Sequence, residues 1–187
     1  SISMGDVLSH ATQSLKREKQ CLEKQEMAKL LKNIGVHMTE REFIDHCLDY
    51  NLDGVTECLS RGVDVNTVCE VSEDGCWSGL TIAAEKNHLE LLEILLSHPH
   101  IKINNTTQVR LDDGKTYHWT ALMKACSRGN SAIVSRLVQA PGLDINYQDE
   151  VGFTAAHWAS GHGHTECVRI LAETGRVDWN KKNQWGC

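Results

Sequence analysis

The chain has 187 residues, 41% of them hydrophobic and 24% charged, with a formal charge of -6. That apolar content suffices to bury a core in one domain or a short repeat array, and no run approaches the roughly 18 apolar residues of a membrane helix, so pervasive disorder and a helical membrane span are both excluded. Residues 16–32 hold six Lys/Arg against three Glu, leaving 13 basic and 22 acidic residues elsewhere; a body that acidic cannot neutralise phosphates, which excludes nucleic acid as the main partner.

The first residues lack the basic stretch and apolar core of a secretory signal. Eight cysteines are dispersed with none in a C-x-x-C pair, so neither a disulfide framework nor a zinc knuckle is expected, and a reducing cytosol or nucleus fits. Residues 1–38 read as a separate helical segment. Asp6 suits an N-cap, Leu8, Leu15 and Leu22 fall seven apart, and Leu30, Leu31 and Ile34 continue the apolar face amid alternating charge. The reading is a long amphipathic helix that caps the remainder of the chain or pairs with a partner helix.

From residue 39 the chain repeats itself. Four segments end alike, at Val63-Asp64-Val65-Asn66, Ile101-Lys102-Ile103-Asn104, Leu143-Asp144-Ile145-Asn146 and Val177-Asp178-Trp179-Asn180, with successive Asn spacings of 38, 42 and 34 residues. Between these marks a short helix of small and apolar residues precedes a turn and a more apolar helix, from Gly79 to Leu96, Thr120 to Val138 and Thr154 to Leu171. Leu91, Leu92, Leu95 and Leu96 recur at helical spacing and define a buried stripe.

The run Thr154-Ala155-Ala156-His157-Trp158-Ala159-Ser160-Gly161-His162-Gly163-His164 resembles the Thr-Pro-Leu-His-x-Ala-Ala-x-x-Gly-His run of the ankyrin repeat, and Thr120 to Asn130 resembles it more loosely. The resemblance implies an all-α ankyrin-repeat solenoid with projecting β-hairpin fingers, preceded here by the N-terminal amphipathic helix. It places a degenerate repeat at 39–66, repeats at 67–104, 105–146 and 147–180, and the start of a further one at 181–187, so that 39–187 is one repeat domain and a fragment of a longer array. Gly79, Ala121 and Ala155 replace the family's proline, and Asn87 stands where glycine is usual, a residue that tolerates the left-handed turn. Small pairs such as Ala83-Ala84 and Ala125-Cys126 let neighbouring inner helices approach, and no repeat can bury its apolar faces alone.

Buried positions of a solenoid are committed to stacking, so specificity is expected on its loops. From the closing Asn to the next helix start these span 12, 16 and 8 positions. The longest, 108–119, sets β-favouring residues on either side of Asp113-Gly114 and predicts a hairpin finger; 71–77 repeats the device around Asp74-Gly75. Trp77, Trp119 and Phe153 precede successive helix starts as binding anchors or as braces between hairpins. The resemblance implies a partner-binding groove along the hairpin tips and the exposed inner-helix face. By position this implicates Glu73, Asp74, Trp77, Arg110, Asp112, Asp113, Tyr117, Trp119, Tyr147, Asp149, Glu150 and Trp185, with Glu85, Lys86, Ser127, Arg128 and His162 on the helix face. Acidic tips suit a partner protein with a basic surface.

Chemistry of the chain's own is not expected. His157, His162, His164 and Cys167 include metal-ligand types, yet His157 and His164 match positions at which the family's histidines hydrogen-bond turns, so neither metal nor cofactor is assigned. No nucleophile motif, phosphate loop or dinucleotide fingerprint is present, and Cys126 and Cys167 fall at stacking positions. Two alternatives stand beside a non-catalytic scaffold or adaptor. The resemblance implies asparagine hydroxylation at Asn66, Asn104, Asn146 or Asn180, against a purely turn-fastening role. Lys181, Lys182 and Trp185 suggest small-ligand or nucleotide recognition by the concave face.

Overall fold

The computed structural model describes residues 39–72, 75–110 and 114–186. The leading helix expected over residues 6–34, and the tip residues Glu73, Asp74, Asp112 and Asp113, lie outside the described residues. Eight helices among the described residues fall into four antiparallel pairs: α1 (Glu40–Leu48) with α2 (Leu52–Ser60), α3 (Gly79–Lys86) with α4 (Leu89–Ser97), α5 (Ala121–Arg128) with α6 (Ser131–Val138), and α7 (Ala155–Gly161) with α8 (Thr165–Glu173). Antiparallel hairpins fill the first two intervals between the pairs, β1 (Val68–Ser72) with β2 (Gly75–Ser78) and β3 (Thr106–Arg110) with β4 (Thr116–Thr120), and a turn without strands fills the third.

Each inner helix starts where the sequence supplies an acceptor. The side chains of Thr39, Ser78, Thr120 and Thr154 accept from the backbone N–H three residues on, and Glu42, Thr81 and His157 answer three of them as capping boxes. Each inner helix also stops at a left-handed residue: Tyr50 (φ 56), Asn87 (φ 56), Gly129 (φ 73) and Gly163 (φ 72). Gly129 could carry no side chain, because an added Cβ would lie 2.5 Å from the His164 ring. Tyr50 marks the degenerate first repeat. An aromatic residue holds the glycine position there, and its ring stacks on His88 with centroids 4.6 Å apart.

Inner helices stack in order, α1 on α3 on α5 on α7, and the outer helices α4, α6 and α8 form a second layer. Their seam is the core: Phe43, Ile82, Leu91, Leu95, Leu122, Met123, Ile133, Leu137 and Leu171 are fully enclosed. Each such side chain contributes about 1.5–3 kcal/mol by leaving water. Across the outer layer Arg136 Nε meets Glu93 Oε1 at 2.6 Å.

Register between repeats comes from the Asp-x-Asn mark. Asp64, Asp144 and Asp178 each accept from the backbone N–H of the Asn two residues on, fixing the turn locally. The Asn then reaches forward. Asn66 accepts from Lys102 N–H at 2.7 Å and donates to His100 O at 2.9 Å; Asn104 does the same with Asp144 and Gly142, and Asn146 with Asp178 and Arg176. One side chain thus sets the position of a turn some thirty residues or more away.

Candidate interaction surface

The second hairpin forms where Asp113-Gly114 predicts it, pairing Thr106 with Thr120 through Arg110 with Thr116 without a break. The first is shorter and shifts register between Glu70 and Ser72. The two fingers lie against each other at Gly75, where an added Cβ would stand 2.1 Å from Gln108 O, so only glycine permits the contact. Further along, Glu150 accepts from the backbone N–H of His118 at 3.0 Å and pairs with the His118 ring, clasping β4 to the next repeat's turn. Burial raises the Glu150 carboxyl, but the His118 bonds outweigh it and hold the pKa below the ordinary carboxylate range. The 147–152 turn is tied onward: Gln148 Nε2 donates to Lys182 O at 3.1 Å, Lys181 Nζ donates to Gln148 Oε1 at 3.2 Å, and Gln184 N–H donates to Val151 O at 2.8 Å. Loops in this molecule are therefore cross-linked into a row.

Four residues expected on the binding surface sit inside instead. Trp77, Tyr117 and Trp119 are buried with the core, because alternate residues of a two-stranded finger face the helices, and these are the ones that do. They brace the hairpins. Asp149 is buried too: its Oδ1 caps the following turn, accepting from Val151 N–H at 3.2 Å and Phe153 N–H at 2.8 Å. Burial pushes its pKa up against those backbone bonds and the Trp158 side chain, which favour the charged form. Oδ2 of Asp149 and Nε1 of Trp158 each lack a hydrogen bond of ordinary geometry, so the indole satisfies the carboxylate only weakly. Lys86, Arg110, Arg128, Glu150, His162 and Trp185 are exposed, and Glu85, Ser127 and Tyr147 are partly covered.

Between the hairpins and the inner helices lies an arrangement that spacing alone does not announce. Lys124, on α5, is only 6% exposed. Its ammonium stands 4.8 Å from the Trp77 ring centre and 5.5 Å from that of Trp119, and meets Glu85 Oε2 at 3.2 Å. Arg128 closes the far side of Glu85 with contacts of 2.6 and 3.0 Å. Burial raises the Glu85 carboxyl, but the Arg128 hydrogen bond and the two cations outweigh it and keep the pKa below its usual value. The ring series continues from Trp119 to Trp158 (4.3 Å between centroids), Phe153 (4.9 Å) and Trp185 (5.5 Å). The sequence signal was a Lys at a helix position where the neighbouring repeats carry Ile82 and Trp158; an apolar slot holding a cation implies a buried partner.

Several histidines are engaged in turns. Thr154 N–H donates to His157 Nδ1 at 3.1 Å, Leu91 N–H donates to His88 Nδ1 at 3.1 Å, and His164 Nε2 lies 3.1 Å from the Ser127 carbonyl. Among the described residues no group of three metal-ligating side chains converges, and no helix is long and apolar enough to cross a membrane. Burial raises the Cys47 thiol to about 12 and pushes Cys126 further up, so both are packing groups. On the outer helices a groove of about 560 Å³ lies between α6 and α8, where Ser131, Ala132 and Ser135 are small and Arg169 is occupied by Glu166 and Glu173.

Stacked helix pairs, finger hairpins and an Asn-locked register define a repeat solenoid, and the model of the ankyrin repeats (3 copies) matches residues 43–149 and 108–183. The chain belongs to the ankyrin repeat family, which is typically non-enzymatic. It is similar to cortactin-binding protein 2 of Mus musculus, 45% identical over 65 residues, which is 34% of this chain and 4% of that protein. The same protein of Equus caballus is 43% identical over 65 residues, again 34% and 4%, and that of Ovis aries 46% over 52 residues, 28% and 3%. The chain thus matches only a few per cent of the length of these relatives.

Proposed function

We propose that this chain is a non-catalytic protein-interaction module whose partner docks along the finger row and the adjoining ends of the inner helices. The observation that carries the reading is the cross-linked row itself. Contacts at Gly75, His118 with Glu150, and Gln148 with Lys182 order the loops in advance, so a partner meets a surface whose ordering entropy is already lost. Arg110, Glu150 and Trp185 face outward from it. Together with the sequence's acidic tips at Glu73, Asp74, Asp112 and Asp113, this suits a partner with a basic surface. The relatives' name makes cortactin a defined protein to test first. Burial of Cys47, Cys58, Cys126 and Cys167 as free thiols suits a reducing compartment, cytosolic or nuclear.

Removing residues 110–113 leaves the three residues 114–116 to join Val109 to its buried partner Tyr117, which shortens the finger without opening the core. The shortened chain is expected to lose the protein that the parent retains, whether purified cortactin or a lysate component. Equal retention by both overturns the finger reading.

We propose, as a second reading, that an asparagine of the Asp-x-Asn mark is hydroxylated. Asn66, Asn104 and Asn146 spend both amide atoms on the following turn, so an oxygen added to those side chains falls beside the contact that sets register between repeats. A gain of one oxygen atom on a peptide carrying Asn66, Asn104, Asn146 or Asn180, after treatment with an asparagine hydroxylase, supports this; no gain on any of the four sinks it.

A further inference from the structure

At their C-terminal ends, a helix length from the fingers that lead into them, the inner helices carry a column of exposed side chains. The residue just before each left-handed turn is Asp49 in the first pair, Lys86 in the second, Arg128 in the third and His162 in the fourth, followed by Tyr50, Asn87, Gly129 and Gly163. All four are exposed. Their repeats are in direct contact there: Arg128 reaches back to Glu85, beside Lys86, and His164 of the fourth pair meets the Ser127 carbonyl, beside Arg128. The column therefore reads acid, base, base and imidazole along one line, on a body whose remaining charge is strongly acidic.

Glu85, Ser127 and Ser160 lie within two residues of the column. Glu85 is largely covered, its side chain 10% exposed, and it is shared by Lys124 and Arg128, so that one carboxylate serves two cations and the trio keeps a net positive charge. Ser127 and Ser160 are uncharged neighbours, and the His162 ring rests 5.7 Å from that of Trp158 with its Nδ1 2.9 Å from the Trp158 carbonyl. A cation at the end of a helix is favoured by the helix dipole alone. The dipole does not account for Asp49 at the head of the same line, where it disfavours a negative charge.

We propose that this column is a docking strip for an acidic segment of a partner protein in the polyproline II conformation. The proposal rests on the interaction-module reading and names the partner chemistry for its inner-helix side. Neighbouring helices pack about 8–10 Å apart, and a polyproline II chain has three residues per turn and a rise of about 3.1 Å per residue, so every third side chain faces the same way about 9 Å on. The segment that fits carries a carboxylate at every third residue opposite Lys86, Arg128 and His162, preceded by a basic residue opposite Asp49. The Arg128 guanidinium is held in place by Glu85, and it adds a planar donor face to a carboxylate.

The test uses the full 187-residue chain and fluorescein-labelled synthetic peptides of about ten residues, the length that spans four repeats at that rise. The matched peptide has lysine first and glutamate at the fourth, seventh and tenth places in a proline-rich background. A control has the same composition with its glutamates adjacent. Fluorescence anisotropy at low salt is expected to show the matched peptide binding at least fivefold more tightly than the control. Lys86→Glu, at an exposed position that leaves the thermal midpoint unchanged, weakens the matched peptide about tenfold. A peptide with lysine in place of the glutamate opposite residue 86 restores most of that loss. Equal binding of matched and control peptides, no binding of either, or a Lys86→Glu effect below threefold overturns the strip. The chain lacking residues 110–113 separates the two ideas, since the strip predicts that it still binds the matched peptide even where it has lost the finger's protein partner.

Discussion

The same motif position does opposite things where a further repeat is described beyond it and where none is. Val65, Ile103 and Ile145 precede the closing Asn of the first three repeats and are 1%, 8% and 5% exposed, whereas Trp179, at that place in the fourth, is 52% exposed. The adjacent asparagines behave alike: Asn66, Asn104 and Asn146 bond forward, and Asn180 makes no forward bond among the described residues. The contribution of a repeat residue is set by the next repeat in the stack more than by its own. Trp77 and Trp119, sealed around Lys124, contrast with Trp185, 64% exposed, in the same way.

The contrast shows most strongly in stability measurements. Ile145→Ala should cost about 3 kcal/mol by opening a cavity, and Trp179→Ala less than about 0.5 kcal/mol as an exposed change, both read from urea midpoints. Equal costs would mean that the fourth repeat is covered as the others are. Next comes Glu85→Ala, which strands the buried ammonium of Lys124. A cost of about 2 kcal/mol is expected, below the full penalty for a broken buried pair because two indole faces still hold the cation. Near-parent stability would show that the indoles suffice.

Asn104→Ala removes a forward acceptor and donor and should lower stability by about 1.5 kcal/mol, against no measurable change for Asn180→Ala. Amide hydrogen exchange at Asp144, whose N–H Asn104 holds, locates the loss. The smallest effect is pH-dependent. Glu85 has a lowered pKa when folded, so its ionised form contributes stability that is complete above its unfolded value and lost as pH falls through the folded one. The gap between parent and Glu85→Gln should therefore be constant near neutrality and close progressively below about pH 4. Asp149, with its pKa raised by burial, runs the other way, its charged form costing stability as pH rises.

Much of the architecture is legible in the sequence. The three full helix pairs, the Thr154 and Thr120 helix starts, the left-handed Asn87 and the finger at Asp113-Gly114 all follow from local chemistry within a few residues. The surface is less legible. Trp77, Tyr117, Trp119 and Asp149 carry side chains that also suit interfaces, and nothing within their own repeat says which way they face. Lys124 signals a buried partner, but which residues hold it, like the His118 clasp on Glu150, could not be read, because those partners lie in other repeats.

Period, caps, turn residues and apolar stripes are written in the chain itself, since each depends on backbone preferences and bonds that close within a single turn. Which aromatic residues are buried, which carboxylate meets which cation, and which turn each asparagine fastens are settled only on stacking. Those outcomes depend on contacts between residues some thirty to forty-five positions apart, formed when one repeat packs on the next and water is excluded from the seam between them.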